Sequence, residues 1–150
     1  KYRALVWGIV QEDEGRIEGN IGRDPRDRMQ MTVFPEGDQG KTAVTHYTVL
    51  ERLSYVSLVE CRLETGRTHQ IRVHALSQGF PLVGDDKYGD FDFNREVSRG
   101  LLGAPLKRMF LHAARLRFTH PVTGEQLDIQ APMPEDCAAL LKVLDKKGGR

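Results

Sequence analysis

The chain has 150 residues, a formal net charge of +1, a charged fraction of 29% and a hydrophobic fraction of 39%. That length suits one domain with one sizeable core, and the balance excludes both global disorder and a generally basic nucleic-acid binder. No apolar stretch approaches the ~20 residues of a membrane span and no signal-peptide pattern opens the chain, so a cytoplasmic location is expected.

Tyr2 to Val10 is rich in β-formers, runs into the Glu12-Asp-Glu-Gly15 turn, and reads as a strand. Arg16-Ile-Glu-Gly-Asn-Ile21 alternates weakly and is expected to pair with it. Met29 to Phe34 alternates apolar and polar residues and stops at Pro35, and Glu36 to Gly40 reads as a loop. Ala43 to Leu53 and Tyr55 to Glu64 are two longer β-rich stretches joined at Ser54, expected as a hairpin. Thr68 is placed to cap a helix through Ser77, with Gly79 as its stop and Pro81 just beyond. On that helix Ile71, Ala75 and Leu76 are expected to point inward, while His69 and Arg72, three apart, share a face. Gly84 to Arg99 has the composition of a loop. Met109 to His120 and Gln126 to Gln130 read as strands around the Pro121-Val-Thr-Gly124 turn. Pro134 to Lys146 reads as an amphipathic helix, with Glu135 and Asp136 in its first turn and Leu140, Leu141 and Leu144 on its apolar side. Strands outnumber helices and hairpin connections predominate. The expected fold is α+β, with a mostly antiparallel or mixed sheet and a few helices, in one domain.

One stretch stands apart. Gly66-Arg-Thr-His-Gln-Ile-Arg-Val-His74 sets two arginines, two histidines and a glutamine within nine residues, and the Gly84-Asp-Asp-Lys-Tyr-Gly89 loop follows. A core has no use for that much hydrogen-bonding capacity, because each buried donor or acceptor must find a partner. A site that grips a polar, anionic substrate does. Phosphate neutralisation depends on cations at the interface rather than on net charge, so a local basic face is enough for RNA. Cys61 and Cys137 lack metal-type spacing and are expected reduced and partly buried. His69 and His74, five apart, have no further His/Cys/Asp cluster to complete a metal site.

Leu63-Glu-Thr-Gly-Arg-Thr-His-Gln-Ile-Arg-Val-His74, continued by Pro81-Leu-Val-Gly-Asp-Asp-Lys-Tyr-Gly89, resembles the third motif of the RluA-type pseudouridine synthases, which turn uridine into pseudouridine in ribosomal or transfer RNA. Lys1-Tyr-Arg-Ala4 resembles that family's Lys-x-Tyr-x-Ala strand, and Arg23-Asp-Pro-Arg-Asp-Arg-Met29 its basic hairpin. Phe110-Leu-His-Ala-Ala114 and Phe118-Thr-His-Pro-Val-Thr-Gly124 resemble its closing sheet segment. The resemblance implies that Arg72 pairs with the catalytic aspartate, because a carboxylate in a pocket that excludes water needs a cation to hold it ionised. It implies that Tyr2 stacks on a flipped uracil and moves a proton there, and that Ile71 packs beneath the base. Arg67, His69 and Gln70 can satisfy phosphate, ribose and backbone groups. Arg23, Arg26 and Arg28, with Lys1 and Arg3, are expected to grip the RNA backbone, the alternative being a solvated turn that Asp24 and Asp27 partly neutralise. Lys87 and Tyr88 are expected to line the cleft, with Lys87 toward RNA. His74, His112 and His120 read as structural, and His46 has no assigned role.

The family's aspartate lies in a His-Arg-Leu-Asp-x-x-Thr-Ser-Gly motif ahead of the Lys-x-Tyr-x-Ala strand, and no such motif occurs here. Glu51-Arg-Leu-Ser54 has serine in the aspartate's place. Residues 1–150 are therefore expected to be the C-terminal portion of a catalytic domain, inactive alone, with Arg72 left holding an empty acceptor site. The resemblance implies no cofactor and no metal, and RNA as partner; a monomer is the simpler expectation for an enzyme working on bulky RNA. Large-subunit ribosomal RNA is favoured by the 84–90 loop and the 109–114 strand, and transfer RNA stays open. An RNA-binding module without catalysis is the competing expectation.

Overall fold

A computed structural model describes residues 1–34, 39–53 and 55–148, with backbone alone at 116–118 and 145–148. Pro35, most of the 36–40 loop and the Ser54 joint lie outside the described residues. In chain order the elements are β1 (Tyr2–Trp7), β2 (Glu14–Glu18), β3 (Asn20–Asp24), β4 (Asp27–Phe34), β5 (Val44–Leu53), β6 (Val56–Leu63), α1 (Gln70–Ser77), α2 (Phe91–Ser98), β7 (Leu111–Ala113), β8 (Arg115–Thr119), β9 (Gln126–Gln130) and α3 (Glu135–Gly148). The expected α+β class is the observed one.

The main sheet has the order β2-β5-β6-β1-β7, and every neighbouring pair is antiparallel. β1 is interior and its side chains alternate between the two faces, as a strand's period of two dictates. Leu5 joins a core of Leu58, Val97, Phe110, Leu140 and Leu144, which α2 and α3 cover. Ala4 and Val6 join Val59, Cys61, Ile71 and Ala75 on the other face, which α1 covers. Both cysteines are free and buried, and burial pushes their thiols up, to about 12 for Cys61 and about 11 for Cys137.

Three expectations fail. Arg16 to Ile21 does not pair with β1; it divides at Gly19 into β2, which pairs with β5, and β3, which pairs with β4. The break is a backbone one, since the Gly19 N–H leaves the hairpin to donate to the Ala43 carbonyl at 3.2 Å. Leu76 is 44% exposed, on the outer side of α1. Within the 84–99 stretch read as loop, Asp90 caps α2 by accepting from the Phe93 N–H at 3.1 Å. Among the described residues no helix is long and apolar enough to cross a membrane.

Candidate functional site

The turn into α1 is built differently from the Thr68 cap that the sequence suggests. His69 is the N-cap, at φ 56°, and its side chain makes no capping bond. It is the one non-glycine residue with positive φ among the described residues. A left-handed residue with a Cβ costs about 1–2 kcal/mol, and such strain persists only where the surroundings impose it. Gln70 imposes it. Its Oε1 accepts from the Arg67 N–H at 3.0 Å and the Thr65 hydroxyl at 2.7 Å. Its Nε2 donates to the Val44 carbonyl at 2.9 Å and Thr45 Oγ1 at 3.0 Å. Those four bonds saturate an amide that is only 2% exposed, so Gln70 has no capacity left for RNA and anchors the turn instead. At the other end of α1, Gly79 at φ 86° sends its N–H to Leu76 and the Phe80 N–H reaches Ala75, a Schellman stop where glycine was expected.

The 84–89 loop meets α1 side-on. Gly84 sits at φ 82°, and a Cβ there would lie 2.1 Å from the Arg108 carbonyl oxygen, so this position needs glycine. Asn94 of α2 brackets the loop, accepting from the Gly84 N–H at 2.9 Å and donating to the Asp85 carbonyl at 2.7 Å. Asp85 is fully buried, and its Oδ1 accepts from the N–H groups of Lys87 and Tyr88 at 2.9 Å each.

Arg72 does not hold an empty acceptor site. Its Nε and Nη2 donate to the two carboxylate oxygens of Asp85, both at 2.8 Å, and Tyr88 lies beneath it with the ring centroid 5.1 Å from Cζ. Thirteen residues separate the pair, and only the turn at Gly84 brings the carboxylate back to the helix. Burial alone would raise the Asp85 carboxyl, but the Arg72 guanidinium and the two N–H donors outweigh it and hold it below the usual carboxylate value. The same hydrogen bond keeps the Arg72 guanidinium charged. Among the described residues no hydrogen bond reaches Arg72 Nη1, and the exposed Asp86 carboxylate stands 3.7 Å from Nη2, so one edge of the fork is clamped and the other is only loosely paired.

Arg72 lines a cleft of about 300 Å³ with Tyr2, Arg67, His69 and Ile71, and the apolar part of the lining includes Leu63, Met109 and Leu111. Residues 70 apart in sequence thus converge. Tyr2 sits in the interior strand β1, paired with Cys61 and Ala113. His69 Nδ1 lies 2.9 Å from the Tyr88 hydroxyl, which also accepts from the Met31 N–H at 2.8 Å. Burial first, then Arg72 and Lys87, lower the His69 pKa.

The basic hairpin β3–β4 docks on the same loop, because Lys87 Nζ donates to the Met29 carbonyl at 3.0 Å. Arg23 donates to the Arg28 carbonyl at 2.9 Å, and Arg26 is 89% exposed at 3.6 Å from Asp24. A second groove, of about 600 Å³, runs between the hairpin and the signature turn, lined by Arg23, Lys41 and Arg67 with Gly22, Gly40 and Gly66. Arg67 lines both concavities. Lys41 escaped the sequence reading because it follows a polar loop without a motif; the Ile21–Lys41 bridge is what brings it to the hairpin. Arg28 and Arg26 lie outside both linings.

His74 is fully buried and satisfied by the Thr45 hydroxyl at 2.8 Å and the Gly19 carbonyl at 3.0 Å, as a structural histidine should be. His112 donates to the Ala131 carbonyl and His120 accepts from the N–H groups of Val122 and Thr123. His46 pairs with Glu64. Among the described residues no three His, Cys, Asp or Glu side chains are placed to hold a metal ion.

Residues 1–77 match the model of a family described as RNA pseudouridylate synthase. An uncharacterised RNA pseudouridine synthase of Bacillus subtilis, YlyB, is 50% identical over 99% of this chain and 45% of its own length. The ribosomal large subunit pseudouridine synthase D of Neisseria meningitidis serogroup A is also 50% identical, over 99% of this chain and 39% of its own. Among solved structures, human RNA pseudouridylate synthase domain containing 1 superposes with a TM-score of 0.71 at 30% identity, covering 98% of this chain and 65% of that one. The chain spans less than half the length of these two curated relatives. With signature, cleft and sheet in agreement, the chain belongs to the RNA pseudouridylate synthase family, of the RluA type its motifs resemble.

Proposed function

We propose that the chain supplies one wall of the catalytic cleft of an RNA pseudouridine synthase acting on large-subunit ribosomal RNA. The observation that carries this reading is the Arg72 fork, clamped on one edge by buried Asp85 and lining a cleft that also holds Tyr2 and Ile71. A guanidinium fixed in this way can accept a second carboxylate without reorganising, which is what a nucleophilic aspartate beside it requires. That aspartate comes from sequence outside these residues. It attacks a uridine flipped out of the RNA, the N-glycosidic bond breaks, and the base turns and rejoins through carbon. Tyr2 stacks on the uracil and moves a proton at the base, Ile71 packs beneath it, and no cofactor takes part.

Arg67 and His69 face the nucleotide, while Arg23, Lys41 and Arg67 carry the flanking backbone across the second groove. Arg26, Arg28 and Lys87 extend the cationic surface of the docked hairpin. The enzyme works in the cytoplasm, a reading supported by similarity to a ribosomal large subunit pseudouridine synthase, and we propose that it does so as a monomer.

Tritium release from transcripts carrying 5-tritiated uridine tests this, run on the chain alone and on the protein extended upstream, with large-subunit ribosomal and transfer RNA. Release is expected only from the extended protein and from ribosomal RNA. Release from transfer RNA alone moves the substrate assignment. Release by the chain alone overturns the mechanism, and Asp85 is no candidate for it because both its oxygens are engaged and it has no exposed surface. Release in neither case, with RNA bound, leaves a binding module.

A further inference from the structure

The hydrogens at Tyr88 can be assigned. Its hydroxyl lies 2.8 Å from the Met31 nitrogen and 2.9 Å from His69 Nδ1, and the residue is 4% exposed. The Met31 N–H can only donate, so it uses one lone pair of the hydroxyl. The hydroxyl proton then has one acceptor within reach, His69 Nδ1. Were Nδ1 itself protonated, the hydroxyl would accept twice and its own proton would be buried without a partner, which native structures avoid. Among the described residues Trp7 Nε1 is the buried side-chain polar atom left unpartnered, whereas the Tyr88 hydroxyl has both partners named above. His69 caps α1 at φ 56°, with its ring edge-on to that of Tyr88 and the centroids 5.5 Å apart.

We propose that Tyr88 fixes His69 as the neutral tautomer protonated on Nε2, so that the cleft offers RNA a permanent hydrogen-bond donor at this point and neither a base nor a cation. The donor part rests on the RNA reading above; the tautomer part does not. Tyr88 is thus a positioning residue, acting through His69, and its other hydrogen bond ties the same group to the basic hairpin. The ligand chemistry it selects is an acceptor oxygen of the nucleotide. Arg72, Lys87 and Arg23 face His69 and oppose its protonation, and Asp85, which favours it, is already engaged by Arg72. His74 offers an internal comparison. The Gly19 carbonyl can only accept from its Nε2, so it carries the same tautomer, with its proton consumed inside the fold.

Long-range nitrogen–proton NMR on the 150-residue chain labelled with ¹⁵N-histidine reads the protonated nitrogen directly. The expected result is Nε2–H at both His69 and His74, persisting at His69 as the pH falls below ordinary histidine titration. In Tyr88→Phe, His69 should relax to a mixture of tautomers, while an unchanged His74 pattern certifies the fold. A proton on Nδ1 of His69 in the unaltered chain, or no change in Tyr88→Phe, overturns the assignment. Binding to a short uridine-rich RNA tests the donor. His69→Gln, which keeps an N–H near that position, should bind like the parent, and His69→Leu about two- to tenfold more weakly. Both should keep the parent's salt dependence, because a neutral donor displaces no counterion. A salt slope reduced by about one in His69→Leu would mean a cation and overturn the proposal, as would unaltered affinity. If the unaltered chain binds no RNA, the RNA reading fails and the NMR result still decides the tautomer.

Discussion

Two concavities face each other across this sheet in character. The cleft beside α1 measures about 300 Å³, and the polar groups that shape it are paired: Arg72 with Asp85, His69 with Tyr88, Gln70 with four partners. The groove beside Trp7 is larger, about 730 Å³, and is lined by apolar surface such as Phe93, Leu101 and the 76%-exposed Tyr55. There Trp7 packs its ring 5.2 Å from Phe93 and leaves Nε1 without a partner. Volume therefore does not mark the chemistry. What marks it is a closed account of hydrogen bonds that holds charged groups in fixed directions, since preorganised dipoles are what a reacting site needs.

If the cleft is held by its pairs, breaking one should cost far more than altering the groove. Asp85→Ala leaves the partly buried Arg72 charge to the exposed Asp86, 3.7 Å away, and about 3–5 kcal/mol of folding stability should be lost in urea denaturation. Gly84→Ala forces a Cβ into a positive-φ turn 2.1 Å from a carbonyl oxygen, with a loss of about 1–3 kcal/mol expected by the same measurement.

Acid should separate the two regions as well. The His69 and His74 pKa values are lowered on folding, by burial first in each case, so the unfolded chain binds more protons in acid. Their contribution is complete above an unfolded value of about 6.5 and is lost as the pH falls below it. Asp85, also lowered, adds a second loss as the pH drops below about 4. Thermal melts should show the first decline largely reduced when both histidines are replaced by glutamine.

The cleft was more legible than the groove, and for a physical reason. Arg72, His69, Ile71 and the Gly79 stop sit in one contiguous run whose helical geometry places them together, so local spacing was enough. Tyr2 could be added by resemblance alone. Asp85 lay in plain view in the 84–89 loop, yet its pairing depends on a left-handed turn at Gly84 and on Asn94, which bracket the loop from outside it. Gln70 looked like a recognition residue because nothing in the sequence reveals that Val44, Thr45 and Thr65 surround it. The helix α2 was missed because it is only eight residues long within a stretch of glycine, aspartate and arginine, although Phe93 and Val97 stand four apart on one face.

Smaller effects sharpen the contrast further. Lys41→Ala, in the second groove, should leave stability unchanged and reduce the salt slope of RNA binding by about one, while Arg26→Ala, outside the linings, should change it less. Trp7→Phe deletes a polar atom that has no partner, and its stability should stay within about 1 kcal/mol of the parent. A large loss there would mean that the groove, too, is held by a bond.

The measurement that bears most directly on the assignment of the site is an NMR titration of the ¹⁵N-labelled chain with short single-stranded RNA containing uridine. Shifts concentrated at Tyr2, Lys41, Arg67, His69 and Arg72 are the predicted result. Shifts confined to Trp7, Tyr55, Phe93 and Leu101 would contradict it and move the site to the apolar groove.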